Sequence, residues 1–340
     1  MLRMFKRVTY QLLTATLCFA AMLLLGCQSN MSHYVVVEGH ALGTFAQVKC
    51  SPTITSTEVE QIILDIDREA KSSMSIFDQS SLLSKINNNE CDSLDRHILI
   101  NLELAQRYHE LSNGYYDVTV KPLTSAWGFA QKSEMVEKPN IDSLIEFVGF
   151  DKISIDDGRI IKSDSRIQID LNSIAKGYIV DLVAEELDKR GVECYMVNIG
   201  GEIRCKGTND EGADWHIGIE TPYEGNFEQT SIEKIIPVSN CAVATSGNYR
   251  RYYTSTSGLK VCHTINPKTG YSVLSNLLSA TVIAPTCAKA DAAATMFMAM
   301  GSEGGALELA KQCEKEFGWS YYFIYADDNG YRVEASKRFR

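Results

Sequence analysis

Residues near the middle of the chain combine in a way that suits a phosphate group. Asp170, Lys176 and Gly177 surround the start of a segment whose apolar residues recur with a helical period. Asn172 and Ser173 are typical N-cap residues, so we expect a buried helix to begin near Ser173. Free backbone N–H groups at a helix N-terminus carry partial positive charge, and a lysine adds a full charge. The pattern therefore predicts a phosphate site at this helix start.

A second short segment places two oxygen-bearing side chains on one expected helical face. Asp291 and Thr295 lie four residues apart in the run ADAAAT, whose alanines leave room beside them. A carboxylate and a hydroxyl are hard oxygen ligands, and next to a phosphate they suggest magnesium. An ordinary structural interpretation also exists, with Asp291 near a helix start and Thr295 in the core.

A histidine and several aromatic residues complete the candidate chemistry. His263 interrupts a strand-like stretch just before a tight turn, and a neutral imidazole suits a general base at neutral pH. An isolated histidine is more commonly structural, so both roles stay open. Tyr115, Tyr116 and Trp127 are either core aromatics or the walls of a pocket for a flat ring.

The elements that must position these residues alternate irregularly along the chain. Hairpin signals outnumber β-helix-β crossovers, which favours an α+β fold with mixed, largely antiparallel sheets and packed helices. Neither G-x-G-x-x-G nor G-x-x-x-x-G-K-[ST] occurs, which disfavours Rossmann and P-loop folds. No repeat or low-complexity linker interrupts residues 34–340, which we expect to form one domain.

The N-terminal residues resemble an export signal. Three basic residues precede an apolar run, Leu12 to Leu25, which is followed closely by Cys27. This pattern is typical of a bacterial lipoprotein. It predicts that residues 1–26 are removed, that Cys27 carries a lipid, and that residues 27–33 tether the domain at the periplasmic face of a membrane. A short membrane anchor with an incidental cysteine is the alternative.

Charge and cysteine usage exclude several other classes of function. Loss of the signal removes three positive charges and no negative ones, which takes the formal net charge from −10 to −13. Such an acidic chain argues against nucleic acid or anionic lipid as a partner. The eight cysteines after Cys27 include no C-x-x-C pair, which disfavours zinc ribbons and thioredoxin-type chemistry. They lie in strand-like or helix-like runs typical of buried residues, and their pairing stays open.

Eight ordered sequence blocks resemble the FAD:protein FMN transferase family, also called ApbE. The resemblance covers nearly the whole chain after the signal, and the lipoprotein signal agrees with many members of that family. The blocks are GTF at 43–45, MSIFDQSSLLSKIN at 74–87, YYDVTVKPLTSAWGF at 115–129, DLNSIAKGYIVD at 170–181, NIGGEI at 198–203, TSGNYRRYY at 245–253, HTINPKTGY at 263–271 and VIAPTCAKADAAAT at 282–295.

The resemblance implies an enzyme, a magnesium-dependent flavin transferase, which moves FMN from FAD onto a threonine or serine hydroxyl of a target protein and releases AMP. Mg²⁺ would be held by Asp291, Thr295 and the backbone carbonyl of Ser173, a position where the family often has alanine. Because a carbonyl is the ligand, that side-chain difference has no effect. Contacts with FAD would come from Leu42, Phe77, Tyr115, Tyr116, Asp117, Asp170, Lys176 and Ile265.

Two of these positions differ from the commonest family pattern. Leu42 replaces a frequent methionine, and Phe77 replaces a frequent tyrosine. Phe77 keeps a ring for stacking but lacks the hydroxyl. In the implied reaction the target hydroxyl attacks the FMN-side phosphorus, Lys176 shares in stabilising the charge on the diphosphate, and His263 is the candidate general base.

The resemblance also implies the acceptors, and two other functions stay open. The acceptors would be the flavin-bearing subunits of sodium-pumping NADH:quinone reductase or of the related Rnf complex, or extracytoplasmic proteins with a similar Ser/Thr motif. One alternative is a magnesium-dependent FAD pyrophosphatase that yields FMN and AMP, and the other is a non-catalytic FAD-binding lipoprotein. Asp291 and Thr295 have no purpose in storage alone. Gln28, after the lipid cysteine, favours an outer membrane if the organism is Gram-negative.

Overall fold

Fourteen β-strands and seven α-helices lie in the described part of this computed structural model, which covers residues 33–129, 139–222, 231–248, 252–254, 260–328 and 330–339. The strands are β1 (Val35–Ala41), β2 (Thr44–Cys50), β3 (Ile153–Asp156), β4 (Arg159–Lys162), β5 (Tyr195–Ile199), β6 (Glu202–Lys206), β7 (Trp215–Glu220), β8 (Ile232–Val238), β9 (Cys241–Gly247), β10 (Tyr252–Thr254), β11 (Lys260–Cys262), β12 (Leu277–Ala284), β13 (Ser320–Asp327) and β14 (Gly330–Ala335). Eight of them form one sheet in the order β1-β2-β5-β6-β9-β12-β13-β14. Every neighbouring pair in it is antiparallel.

Three two-stranded sheets accompany the large one. They are the antiparallel pairs β3-β4, β7-β8 and β10-β11. The turn between β1 and β2 shows how local sequence sets such pairings. Leu42 and Gly43 both have positive φ, 52° and 73°. A two-residue turn of this kind matches the twist of antiparallel strands, and Gly43 suits its second position, whereas leucine rarely adopts the positive φ found at Leu42.

Seven α-helices lie in the described residues. They are α1 (Ser56–Met74), α2 (Leu82–Asn87), α3 (Arg96–Leu111), α4 (Lys121–Ala126), α5 (Ala175–Lys189), α6 (Cys287–Met300) and α7 (Ala306–Phe317). Short 3₁₀ turns cover Ile145–Phe147, Phe150–Lys152 and Lys337–Phe339.

Local sequence explains where several helices begin and end. Thr55 and Glu58 form a capping box at the start of α1, since each side chain bonds to the other's backbone N–H. The carboxylate of Asp95 caps α3 in the same position. Gly191, at φ 72°, follows the end of α5, and Gly301, at φ 58°, ends α6, because glycine adopts positive φ without strain.

The large sheet separates two apolar clusters. Alternate residues along β5 and β9, such as Val197 and Ala242, face the main core together with the buried faces of α1, α5 and α6. The other face, which includes Cys205 and Val243, packs against the β7-β8 hairpin. α6 is buried on nearly every side, since its small residues allow close approach from the sheet and from α5. Both helices that carry the candidate ligands are therefore held rigidly.

The predicted α+β architecture with a largely antiparallel sheet is confirmed. Residues Tyr34–Arg340 form one compact unit. The predicted signal peptide at 1–26 and most of the tether at 27–33 lie outside the described residues. No helix in the described ranges combines the length and apolar character needed to cross a membrane. No disulfide joins any two of the eight cysteines in these ranges, and most of them are buried.

Candidate active site

A cavity of about 1360 Å³ brings together every predicted site residue except Leu42. It lies where the start of α5 and one face of α6 meet strands of the large sheet. The predicted residues that line it are Phe77, Tyr115, Tyr116, Asp117, Asp170, Ser173, Lys176, His263, Ile265, Asp291 and Thr295. They come from segments far apart in sequence, so the fold assembles them.

The start of α5 differs from the sequence prediction in an informative way. We expected Asn172 and Ser173 to act as N-caps, but the N-cap is Ile174, and no side chain caps it locally. Instead, the N–H of Gly177 donates to Oδ2 of Asp291 at 2.9 Å. Within the described residues the carbonyl of Ser173, the usual partner of that N–H, accepts no backbone hydrogen bond. The carbonyl predicted to bind a cation is thus left available.

Close packing between α5 and α6 makes this bond possible. A Cβ on Gly177 would lie 2.4 Å from the carbonyl oxygen of Cys287 and 2.8 Å from the nitrogen of Ala288. Only glycine fits there. Further along α5, the carboxylate of Asp181 accepts the N–H groups of Cys287 and Ala288 at 2.8 and 2.9 Å. One helix therefore caps the other, because Thr286, at the N-cap of α6, makes no side-chain cap bond.

The electrostatic environment of Asp291 suits a cation. The residue is 3 % exposed, and burial raises the pKa of its carboxyl to about 7. Lys176 and the Gly177 N–H oppose this rise in pKa, whereas the nearby carboxylate of Glu202 adds to it. Lys176 and buried Glu202 form an ion pair across the cavity wall. A buried carboxylate with a raised pKa gains from any cation that can replace its lost hydration.

The predicted oxygen donors meet the requirements of Mg²⁺. Asp291 offers a carboxylate whose Oδ1 accepts no hydrogen bond from the described residues. Ser173 offers its backbone carbonyl. Thr295 offers a hydroxyl, which lies 3.1 Å from Oγ of Ser246. The described residues contain no cluster of three or more His, Cys, Asp or Glu side chains suited to a metal. A sparse, all-oxygen set is what Mg²⁺ accepts, since it keeps waters and substrate phosphates as its other ligands. The magnesium site stays a prediction.

Asp170 is fixed close to the same helix start. Its Oδ1 accepts the N–H of Asn172 at 2.9 Å, and its Oδ2 lies 3.3 Å from Oγ1 of Thr124. Burial raises the pKa of the Asp170 carboxyl. Beside it, the hydroxyl of Tyr116 bonds to Oγ of Ser173 at 2.8 Å. Tyr116 therefore braces the segment that presents the Ser173 carbonyl.

Asp117 lines the cavity, yet its carboxylate is already occupied. Oδ1 accepts the N–H and the hydroxyl of Thr119 at 2.8 and 2.6 Å. Oδ2 accepts the N–H of Phe150 at 2.8 Å and lies 3.1 Å from Nδ1 of His109. The side chain thus holds the loop in place, and any contact of Asp117 with a ligand is left to its backbone.

The aromatic residues divide between wall and core. Phe77 is 63 % exposed although it lines the cavity, so a ligand can stack on its ring. Tyr115 also lines the cavity, and the ammonium group of Lys268 lies 4.7 Å from its ring centroid. Trp127 is buried and donates its indole N–H to the carbonyl of Gly270 at 2.8 Å, so it is a core residue.

Leu42 lies outside the cavity lining, at the β1-β2 turn, where its N–H donates to Asp67. Its FAD contact stays a prediction.

His263 and Ile265 lie on the segment after β11. The His263 ring meets the edge of Phe129 with centroids 6.4 Å apart, and both residues line the cavity. Ile265 is buried. His263 therefore lines the same cavity as Asp291 and Lys176, and its role as a general base stays a prediction.

Two further functional residues escaped the sequence reasoning. Glu202 orients Lys176, and Asp181 joins α5 to α6. A charged residue directly after the glycine pair 200–201 was a signal for Glu202. Asp181 lies in an otherwise apolar stretch of a buried helix, where a lone carboxylate needs partners.

This antiparallel α+β fold and its cavity, with a buried carboxylate, a lysine and a helix start beside aromatic walls, define a site for a phosphorylated ring compound. The ApbE family model matches residues 42–317. This chain belongs to the ApbE family.

Named relatives and a solved structure agree with this assignment. A Haemophilus influenzae protein named FAD:protein FMN transferase is 35 % identical over 337 residues, which cover 94 % of each chain. A Vibrio cholerae protein of the same name is 33 % identical and covers 94 % of this chain and 95 % of its own. The structure of the flavin transferase ApbE from Vibrio cholerae superposes with a TM-score of 0.79 at 30 % identity, covering 90 % of this chain and 98 % of that chain. The sequence prediction of this family is confirmed.

Proposed function

We propose that this protein transfers FMN from FAD to a threonine or serine hydroxyl of an acceptor protein, forming a phosphoester bond and releasing AMP in a reaction that needs Mg²⁺. Relatives that share a third of the sequence over nearly the full length bear the name of this enzyme class. The single observation that carries the proposal is the junction of α5 and α6. There the Asp291 carboxylate, the Ser173 carbonyl and Lys176 meet in one cavity.

The residues of the chain have separate roles in this reaction. Asp291, Thr295 and the Ser173 carbonyl would hold Mg²⁺, which when bound neutralises charge on the diphosphate. Lys176, oriented by Glu202, contributes a second positive charge beside the start of α5. Phe77 and Tyr115 present ring faces to the flavin or the adenine.

Bond formation and proton transfer can then be assigned. The acceptor hydroxyl oxygen forms a bond to the FMN-side phosphorus, and the bond from that phosphorus to the bridging oxygen breaks. The bridging oxygen leaves with AMP and keeps the electron pair. His263 accepts the hydroxyl proton, since its ring faces the cavity.

The cavity size is compatible with a protein acceptor. Small-molecule sites typically enclose about 300–1,000 Å³. This cavity, at about 1360 Å³, exceeds that range and leaves room for part of a protein acceptor. The pyrophosphatase alternative would need space only for water.

One assay separates the three functions. The protein is incubated with FAD, Mg²⁺ and the soluble domain of a flavin-bearing subunit of sodium-pumping NADH:quinone reductase, the acceptor that the family resemblance implies. In-gel flavin fluorescence of the acceptor together with free AMP supports transfer. AMP without a fluorescent acceptor would identify a pyrophosphatase. Bound FAD without either product would identify a storage protein.

We also propose that the mature protein is anchored to a membrane by lipid on Cys27 and acts at the periplasmic face, on acceptors such as subunits of sodium-pumping NADH:quinone reductase or Rnf complexes. The pattern of residues 1–27 supports this location. Expression of the wild type and of Cys27→Ser in Escherichia coli, with radiolabelled palmitate, tests it. We expect the wild-type protein to carry the label and to lie in the membrane fraction, and the Cys27→Ser variant to carry none. Equal labelling of both, or of neither, would refute the anchor.

A further inference from the structure

Strand β7 borders the cavity in an unusual way. Five consecutive residues, His216 to Glu220, line it. Side chains alternate between the two faces of a strand, so a strand that turned one face to the cavity would contribute only every second residue. β7 therefore presents its edge, with its backbone, to the cavity.

The register of the hairpin identifies which backbone groups point out of that edge. His216 lies opposite Pro237, and Gly218 lies opposite Ile235. Proline has no N–H, so the His216–Pro237 pair belongs to the non-hydrogen-bonded set, together with Gly218–Ile235 two residues on. In an antiparallel pair the residues of this set direct their N–H and C=O away from the partner strand. The N–H and C=O of His216 and Gly218 thus point toward the cavity.

The two strands of this hairpin carry different residue types at their outward-facing positions. On β8, Pro237 occupies an outward-facing position and removes a donor, which is a common way to keep an edge from pairing. On β7 the matching positions carry a histidine and a glycine. In the described residues β7 pairs with no strand other than β8. A glycine inside a strand commonly marks the close approach of another backbone.

The opposite wall of this part of the cavity comes from the large sheet. Met196, Asn198, Val243 and Thr245 line it. Val243 and Met196 belong to the cluster on the hairpin side of the sheet, away from the face that packs on α5 and α6. None of the predicted FAD or magnesium contacts lies on β5, β7 or β9. This part of the lining belongs to the same cavity as His263 and the residues predicted to hold FAD.

We infer that an extended segment of the acceptor protein adds as a strand to the edge of β7 at His216 and Gly218, where no described strand pairs, and so delivers its threonine or serine hydroxyl to the cavity. This inference rests on the proposed transfer reaction. Strand addition suits such a substrate because backbone hydrogen bonds supply affinity whatever the side chains, while alternate side chains enter the cavity. Acceptors that differ in sequence could then share one site.

The decisive variant is Gly218→Pro, with Ile235→Pro as its matched control. Both remove one outward-facing N–H from the same hairpin pair and leave the β7-β8 bonds in place, but Ile235 faces away from β7 and is 56 % exposed. A Cβ at position 218 lies 3.4 Å from the flexible side chain of Ile232, so the hairpin accommodates it. Loss of a backbone bond and the bulk of the ring should raise the KM for the acceptor about tenfold or more in Gly218→Pro. The KM for FAD should not change, and Ile235→Pro should match the wild type.

FMN transfer is measured with two acceptors, which are the same acceptor domain and a peptide that contains its flavinylated residue. Two methylated forms of the peptide are compared, one with methyl groups on the odd-numbered backbone nitrogens and one with them on the even-numbered nitrogens. Only one of the two forms should be a poorer acceptor than the unmethylated peptide, because only alternate N–H groups of an added strand bond to β7. Equal KM values for both proline variants, or equal sensitivity to both methylation patterns, would overturn strand addition. If Gly218→Pro fails to fold, the methylated peptides decide with the wild-type enzyme. A wild type that releases AMP but flavinylates no acceptor refutes the proposed transfer itself, and strand addition with it.

Discussion

The backbone N–H of Gly177 donates to the carboxylate of Asp291 at 2.9 Å, across a sequence separation of 114 residues. This bond joins the first turn of α5 to α6 and diverts the N–H from its usual partner, the carbonyl of Ser173. One interaction therefore orients the carboxylate and exposes the carbonyl. Both groups are predicted ligands of the same cation.

The first prediction concerns the fit between the two helices. Gly177→Ala places a methyl group 2.4 Å from the Cys287 carbonyl oxygen, so α5 and α6 must move apart. We expect the free energy of unfolding to fall by about 1–3 kcal/mol, and transfer to fall with it, since the Asp291 bond is strained. Urea denaturation measures the first effect. Gly39→Ala is the control, because an added Cβ there meets nothing within 4 Å. Unchanged stability of Gly177→Ala would contradict the close approach.

The second prediction concerns Mg²⁺. Asp291→Asn keeps an oxygen to accept the Gly177 N–H but removes the negative charge. Mg²⁺ at about 100 times its dissociation constant should stabilise the wild type by about 2.7 kcal/mol and leave the stability of the Asp291→Asn variant unchanged. Thermal unfolding with Mg²⁺ and after EDTA treatment reports this without any activity measurement. An equal rise in Tm for both proteins would place the cation elsewhere.

The third prediction tests the general base. His263→Ala should reduce the rate of FMN transfer by about 10²-fold or more, since the acceptor hydroxyl loses its proton acceptor. Binding of FAD, followed by flavin fluorescence quenching, should persist. His40→Ala, at an exposed position on β1 outside the cavity lining, controls for loss of a histidine. Full transfer activity in His263→Ala would remove this residue from the mechanism.

The fourth prediction concerns the exposed ring at the cavity. Phe77→Ala removes a stacking surface, and stacking of a base on an aromatic ring contributes about 1–3 kcal/mol, so FAD affinity should fall roughly 5- to 150-fold. Stability should change little, because the ring is 63 % exposed. Isothermal titration with FAD measures the affinity. Phe77→Tyr should bind as the wild type does, and Phe45→Ala, an exposed phenylalanine outside the lining, should not weaken binding.

The fifth prediction is a pH dependence. Hydrogen bonding to Asp117 raises the pKa of His109 above its ordinary value of 6.5, against the opposing effect of burial. A raised folded-state pKa means that protonated His109 stabilises the fold. This contribution is fully present below the unfolded-state pKa and is lost as pH rises through the folded-state pKa. Urea unfolding between pH 5.5 and 9 should therefore show a steeper fall for the wild type than for His109→Gln. Parallel pH curves would contradict the ion pair.

Local sequence was sufficient to select several of the residues that line the cavity. The four-residue spacing of Asp291 and Thr295 in an alanine-rich run predicted one helical face, and α6 carries both into the cavity. Hairpin signals predicted the antiparallel sheet, because turn chemistry and strand alternation are properties of adjacent residues. His263 and Lys176 were likewise chosen from their neighbours alone.

Contacts between distant segments could be decided only by the tertiary structure. The cap on Gly177 comes from Asp291 rather than from Ser173, and the carboxylate of Asp117 is consumed by Thr119, Phe150 and His109. The role of Glu202, and the edge of β7 with which no described strand pairs, were likewise visible only in the tertiary structure. Periodicity and capping preferences describe residues a few positions apart. Whether a buried polar group finds its partner depends on which strands and helices the folded chain places side by side.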